Sequence, residues 1–164
     1  MSRRSTCPPL WWVAGWSPCR RGTDRVPQPP APRGGPATAA ACAGLGLLFT
    51  LSSRASCPLD RAAVPNAPWW FQSYVMRDRG LTAALVTRAT ELGAAALVLT
   101  VDAAVLPTRR RSRDEGLVDR STMTVNASGV EDLALLEPSP AVTPDDVRWL
   151  GDLAGLPVVV KGLV

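Results

Sequence analysis

A chain of 164 residues with 46% hydrophobic content is the size of a single domain and long enough to bury a core. Its formal net charge is +4, carried by 17 arginines and one lysine against 14 acidic residues, with no histidine. Six of those arginines (Arg3, Arg4, Arg20, Arg21, Arg25 and Arg33) precede residue 34, and the rest is near neutral with 12 basic and 13 acidic residues, so no nucleic-acid partner is expected.

Cys7, Cys19, Cys42 and Cys57 form no C-x-x-C pair, and without histidine no metal site is expected. They read as free thiols in a reducing compartment, with a Cys7–Cys19 disulfide as the alternative. The apolar run from Leu10 to Trp16 after Arg3 and Arg4 faintly resembles a signal peptide, but it is short, lies between prolines and has no small-x-small cleavage pattern close behind, so none is expected. No run of about 18 apolar residues exists, so no transmembrane segment is expected and the cytoplasm is the expected location.

Residues 1–36 are rich in Pro, Gly, Arg and Trp without period, and read as a disordered or foreign-frame arm. From Ala37 the composition changes to Ala, Leu and Val segments bounded by Gly and Pro, giving a second region over 37–164. In chain order the pattern predicts a helix end at 37–43, a strand at 46–52, a short helix near 58–64 and a strand at 69–75. A helix follows at 80–92, with Leu81, Leu85, Ala89 and Leu92 as its buried stripe and Gly93 as its stop. Next come a strand at 95–102, a long loop to about 142, a helix at 144–154 and a strand at 157–163. Thr143 caps that last helix, Pro144 opens it, and Asp145 and Asp146 sit in its positively polarised first turn.

Apolar strands alternating with amphipathic helices imply a parallel sheet covered on its outer face. Residues two apart on a strand share a face. The strand ends therefore deliver Gln72 with Tyr74 and Thr100 with Asp102 to one rim, and the only lysine, Lys161, ends the last strand. Polar side chains gathered at the C-terminal ends of parallel strands describe the mouth of an α/β barrel. Each of them also has a structural reading as a strand-end hydrogen bonder or a snorkelling cation. Arg109, Arg110 and Arg111 have the further reading of a solvated charge run, and Trp69 and Trp70 read as packing residues.

The segments LFTLSS (48–53), WFQSYVMRDR (70–79), ALVLTVDAAVLPTRR (96–110) and LPVVVKG (156–162), in this order and spacing, resemble the FMN-dependent α-hydroxy-acid dehydrogenases and oxidases. The resemblance implies a (β/α)8 barrel, of which these would be about strands two to five, with FMN as cofactor and a small L-2-hydroxy acid of the lactate, glycolate or mandelate type as substrate. It implies homo-oligomeric assembly as well. Carried over by motif, Ser52, Gln72, Thr100 and Lys161 would hold the flavin ring, the lysine stabilising negative charge that develops along its N1–C2 carbonyl edge. Tyr74 and Arg109 would face the substrate, and Asp102 would orient a catalytic histidine.

The chain departs from that pattern in several places. The family's general base is a histidine, and no histidine exists here, so no catalytic base is assigned. Pro107 and Thr108 replace the usual glycine and arginine before Arg109, and Arg54 follows the Leu-Ser-Ser motif where an aromatic or small residue is usual. The expectation is a truncated or frame-shifted product that is inactive alone. The alternatives are a non-catalytic pseudogene product or a half-barrel that pairs with another polypeptide, and a different FMN barrel of the type 2 isopentenyl-diphosphate isomerase kind.

Overall fold

The computed structural model describes residues 34–55, 57–64, 67–102, 125–127 and 129–163. In chain order these form α1 (Gly34–Gly44), β1 (Phe49–Ser52), α2 (Leu59–Ala62), β2 (Trp69–Ser73), α3 (Arg79–Glu91) and β3 (Ala96–Thr100). A 3-10 turn (Leu133–Leu136), α4 (Pro144–Ala154) and β4 (Val158–Lys161) complete the order. The strands make one four-stranded sheet in the order β1-β2-β3-β4. Each neighbouring pair is parallel, as the alternation of strands and helices requires. This is an arc of an α/β barrel, with every strand's C-terminal end on the same rim. Among the described residues no helix is long and apolar enough to cross a membrane.

The two faces of the sheet differ. Phe49, Leu51, Trp69, Phe71, Leu97 and Leu99 are buried and join the core, into which Leu85, Val86 and Ala89 of α3 and Leu150 and Ala154 of α4 also pack. On the alternate positions Thr50, Ser52, Trp70, Gln72 and Val98 are half-buried, and Val159 is exposed. Packed helices cover one face and leave the other more open, as in the wall of a barrel.

The strands are shorter than the sequence suggests. The expected start at 46 fails because α1 is still being closed there: the Leu47 amide donates to the Cys42 carbonyl at 2.8 Å, and Gly46 adopts φ 65°. At the other ends, Tyr74 lies just past β2 and Asp102 two residues past β3. Beyond β2 the chain turns to the segment after the 3-10 turn, where Ser139 donates its amide to the Val75 carbonyl at 2.7 Å and Arg77 to that of Glu137 at 2.9 Å. Part of the expected loop to 142 is thus structured. Helix α1 begins at Gly34 and admits Pro36, because a proline in the first turn has no intrahelical acceptor to lose.

Helix α3 buries Thr82, Leu85, Val86 and Ala89, with Leu81 and Leu92 only packed against the edge of the core. The expected stripe is rotated because Thr82 is a core residue: its hydroxyl donates to the Asp78 carbonyl at 3.2 Å and accepts the Met76 amide at 3.0 Å. Helix α4 agrees with the expectation at both ends. The Asp146 carboxylate accepts the Thr143 amide at 2.8 Å, and Gly155 closes the helix in the left-handed region at φ 63°. Cys42 and Cys57 are buried free thiols, and burial pushes the Cys57 thiol up against a smaller opposing pull from a backbone hydrogen bond. The expectations for residues 1–33, including Cys7 and Cys19, lie outside the described residues.

Candidate functional site

Three neighbouring strands end in side chains that bond to one another. Ser52, the last residue of β1, stands opposite Gln72 in the sheet register, and its hydroxyl donates to the Gln72 Oε1 at 2.6 Å. The Gln72 amide nitrogen then donates to the Thr100 hydroxyl at 3.0 Å and to the Ser73 carbonyl at 3.1 Å. The amide is thereby fixed, oxygen toward β1 and nitrogen toward β3. Thr100 is buried and stands opposite Lys161 in register. The row Ser52, Gln72, Thr100, Lys161 therefore crosses all four strands at one rim.

Lys161 carries the positive charge of that row. Its ammonium donates to both oxygens of Asp102, at 3.0 and 3.3 Å, with the two side chains 35% and 44% exposed. A pair this open to water contributes little by itself. Asp102 reaches it because Gly162, at φ 104°, presents no side chain where the aspartate packs. Asp102, which by resemblance would orient a histidine, faces the lysine.

Tyr74 is half-buried, and its ring lies beneath the Arg54 guanidinium, whose central carbon is 5.1 Å from the ring centroid. Arg54 belongs to the same rim: its amide donates to the Ser52 hydroxyl at 3.2 Å, and one guanidinium nitrogen donates to the Leu136 carbonyl at 3.1 Å. Sequence reasoning noted Arg54 only as a departure from a motif. The available signal was its position two residues after Ser52, in the turn that leaves the strand. Arg109 lies outside the described residues. Among the described residues no group of three or more His, Cys, Asp or Glu side chains is placed to hold a metal ion.

The donor set suits a flavin ring. The pyrimidine edge of an isoalloxazine alternates carbonyl oxygens with an N–H, and it becomes negative on reduction. Along the rim stand an amide that both donates and accepts, two hydroxyls and an ammonium, which match that edge in kind. The hydroxyls and the amide bond to one another here, so each can exchange a neighbour for the ring at small net cost.

Comparison with known proteins agrees with the fold. The family model for FMN-dependent dehydrogenases matches residues 28–164. An L-lactate oxidase from Nostoc sp. is 39% identical over 146 residues, covering 78% of this chain and 40% of that protein. The peroxisomal (S)-2-hydroxy-acid oxidase GLO4 of Oryza sativa subsp. japonica is 34% identical, covering 81% and 40%. Among solved structures, a mandelate oxidase variant with (S)-mandelic acid superposes with a TM-score of 0.67 at 30% identity, over 82% of this chain and 38% of that one. A lactate oxidase of Pediococcus acidilactici superposes with a TM-score of 0.68 at 27% identity, over 80% and 37%. The chain thus spans about 40% of the length of these curated relatives. Its four parallel strands are part of a (β/α)8 barrel, and it belongs to the family of FMN-dependent dehydrogenases.

Proposed function

We propose that these residues form the flavin-ring-holding part of an oxidoreductase for small L-2-hydroxy acids, and that the 164-residue chain does not itself turn such acids over. The observation that carries the first half is the side-chain row from Ser52 through Gln72 to Thr100, with Lys161 next in register. When bound, FMN supplies the acceptor for a hydride equivalent from the substrate's α-carbon. Gln72 and Thr100 orient the ring by hydrogen bonds. Lys161 leaves Asp102 to balance charge at the ring's carbonyl edge, and Tyr74 offers its hydroxyl to the substrate beside the ring. Arg109 is assigned to the substrate carboxylate, for which its planar fork is suited. The second half rests on composition: with no histidine, the α-hydroxyl proton has no imidazole to go to.

Flavin fluorescence titration of the wild-type chain and of Lys161→Ala tests the site. A hydrogen bond to a charged group is worth about 1.5–3 kcal/mol, so the variant is expected to bind FMN about tenfold or more weakly. Equal quenching by both proteins at micromolar concentration removes Lys161 from the site.

A further inference from the structure

Helix α1 differs from the other long helices on its outer side. From Gly34 to Ser53 the chain has no Asp, Glu, Lys or Arg. The described exposed residues of α1 are Ala37, Thr38, Ala40, Ala41 and Gly44, whereas α3 exposes Arg88 and Glu91 and α4 exposes Arg148 and Asp152. A helix with no charged face is ordinarily covered on more than one side. At the opposite edge of the sheet it is the strand that lacks cover. Val158 and Val160 are only half-buried, although Leu97 and Leu99, their partners in register, are buried. The Pro157 and Lys161 carbonyls accept from β3, so strand alternation turns the backbone groups of Val158 and Val160 away from it, where no described strand stands. The exposed large hydrophobic side chains among the described residues are Leu45, Leu47, Leu135, Leu153, Val159 and Leu163. All but Leu135 belong to the α1–β1 unit or the α4–β4 unit, and Leu45, beside α1, is 73% exposed.

We propose that these two surfaces form one interface between two copies of this chain. The α1–β1 unit of one copy docks on the α4–β4 unit of the other, and the reciprocal contact closes an eight-stranded barrel. Strand order and polarity permit it. The sheet runs β1-β2-β3-β4 with every pair parallel, so a two-fold axis along the barrel sets β4 beside the copy's β1 with direction kept, at two equivalent junctions. Four strands from each chain make the eight that close such a barrel. Because α1 precedes β1, the copy's α1 arrives with its strand and covers Val158 and Val160, its alanines allowing close approach. The occupant is a second copy because the uncovered helix and the uncovered strand complement each other and both stand on this chain. The inference does not depend on the flavin reading of the rim.

Sedimentation equilibrium of the full chain at micromolar concentration tests this, and the wild type is expected at twice the mass of one chain. Leu45→Lys and Leu153→Glu each place a charge on one of the two surfaces. Both side chains are already exposed in the single chain, so far-ultraviolet circular dichroism should be unchanged. Each variant alone is expected to weaken the dimer about tenfold or more, since an unpaired charge would have to be buried at both junctions. An equal mixture of the two should regain it, because a mixed pair has one unsubstituted junction and one where opposite charges meet. Leu135→Glu, outside both units, should leave the mass unchanged. A wild-type mass other than that of two chains overturns the proposal. So does a dimer that only one of the two variants weakens, that their mixture fails to restore, or that Leu135→Glu weakens as much.

Discussion

Gly162 follows Lys161 immediately, and its backbone sits at φ 104°, a region that a side chain strongly disfavours. A Cβ added there would lie 2.5 Å from the Asp102 Cβ and 2.9 Å from its amide nitrogen, so backbone as well as side chain must move. Gly162→Ala is therefore expected to cost about 1–3 kcal/mol in urea unfolding, the range for a strained backbone position. Gly129 separates conformation from contact, because it adopts φ 93° with nothing within 4 Å of an added Cβ. Gly129→Ala should cost less, and equal costs would show that Asp102 is not what Gly162 accommodates. Gln72, Thr100 and Lys161 stand out in the sequence as polar residues toward the ends of apolar strands, and Ser52 through the Leu-Ser-Ser motif of the family resemblance. That Asp102 faces Lys161 could not, since the partner depends on how the loop leaves β3 and on the register of β3 against β4. Arg54 was hidden for a similar reason: a turn residue's direction is set by tertiary packing, here the Tyr74 ring and the Leu136 carbonyl.

Helices α3 and α4 are joined by a charge pair whose two halves differ in burial. Asp146 is 1% exposed and accepts from Arg79 and from the Thr143 amide, while the Arg79 side chain is 58% exposed and lies over the Trp149 ring. Removing the exposed partner is the more damaging change, because it leaves a buried carboxylate with less compensation. Arg79→Ala is expected to cost about 2–3 kcal/mol, below the value for a fully buried pair because the guanidinium is itself screened by water. Asp146→Asn, which keeps shape and removes the buried charge, should cost less, and the double variant should cost less than the sum of the two. Urea midpoints for the three proteins check this; additive costs would mean that the residues do not act as a pair. The ends of α4 were legible, since Thr143, Pro144 and Gly155 punctuate it by local chemistry alone. The buried face of α3 was not, because Thr82 counts as polar in a hydrophobic pattern and becomes a core residue once Asp78 and Met76 satisfy its hydroxyl. The start of β1 was misjudged because Leu47 is apolar and yet serves to close α1.

The described strands form an arc in which the outer edges of β1 and β4 have no strand beside them and Val159 is 41% exposed on the more open face. A closed barrel of this kind typically takes about 250 residues, and the chain covers about 40% of the length of its curated relatives. What the whole molecule can do chemically follows from its side chains. Oxidation of a 2-hydroxy acid requires the α-hydroxyl proton to leave as the α-carbon gives up a hydride equivalent. A positioned base contributes about 10²–10⁴-fold to such a step. The sequence has no histidine, and Asp102 is engaged with Lys161 at 3.0 Å. Recruiting Lys161 to the flavin would leave Asp102 two residues beyond the strand end. Tyr74 can offer a hydrogen bond that orients an acid, which does not replace a base. The FMN-loaded chain is therefore expected to show no more than trace bleaching of the flavin under anaerobic conditions with lactate, glycolate, mandelate or malate. Bleaching above trace rates that disappears in Tyr74→Phe would reveal a base at this rim and overturn the expectation. A Tyr74→Phe variant that bleaches as fast as wild type would place any residual reaction elsewhere than beside that ring.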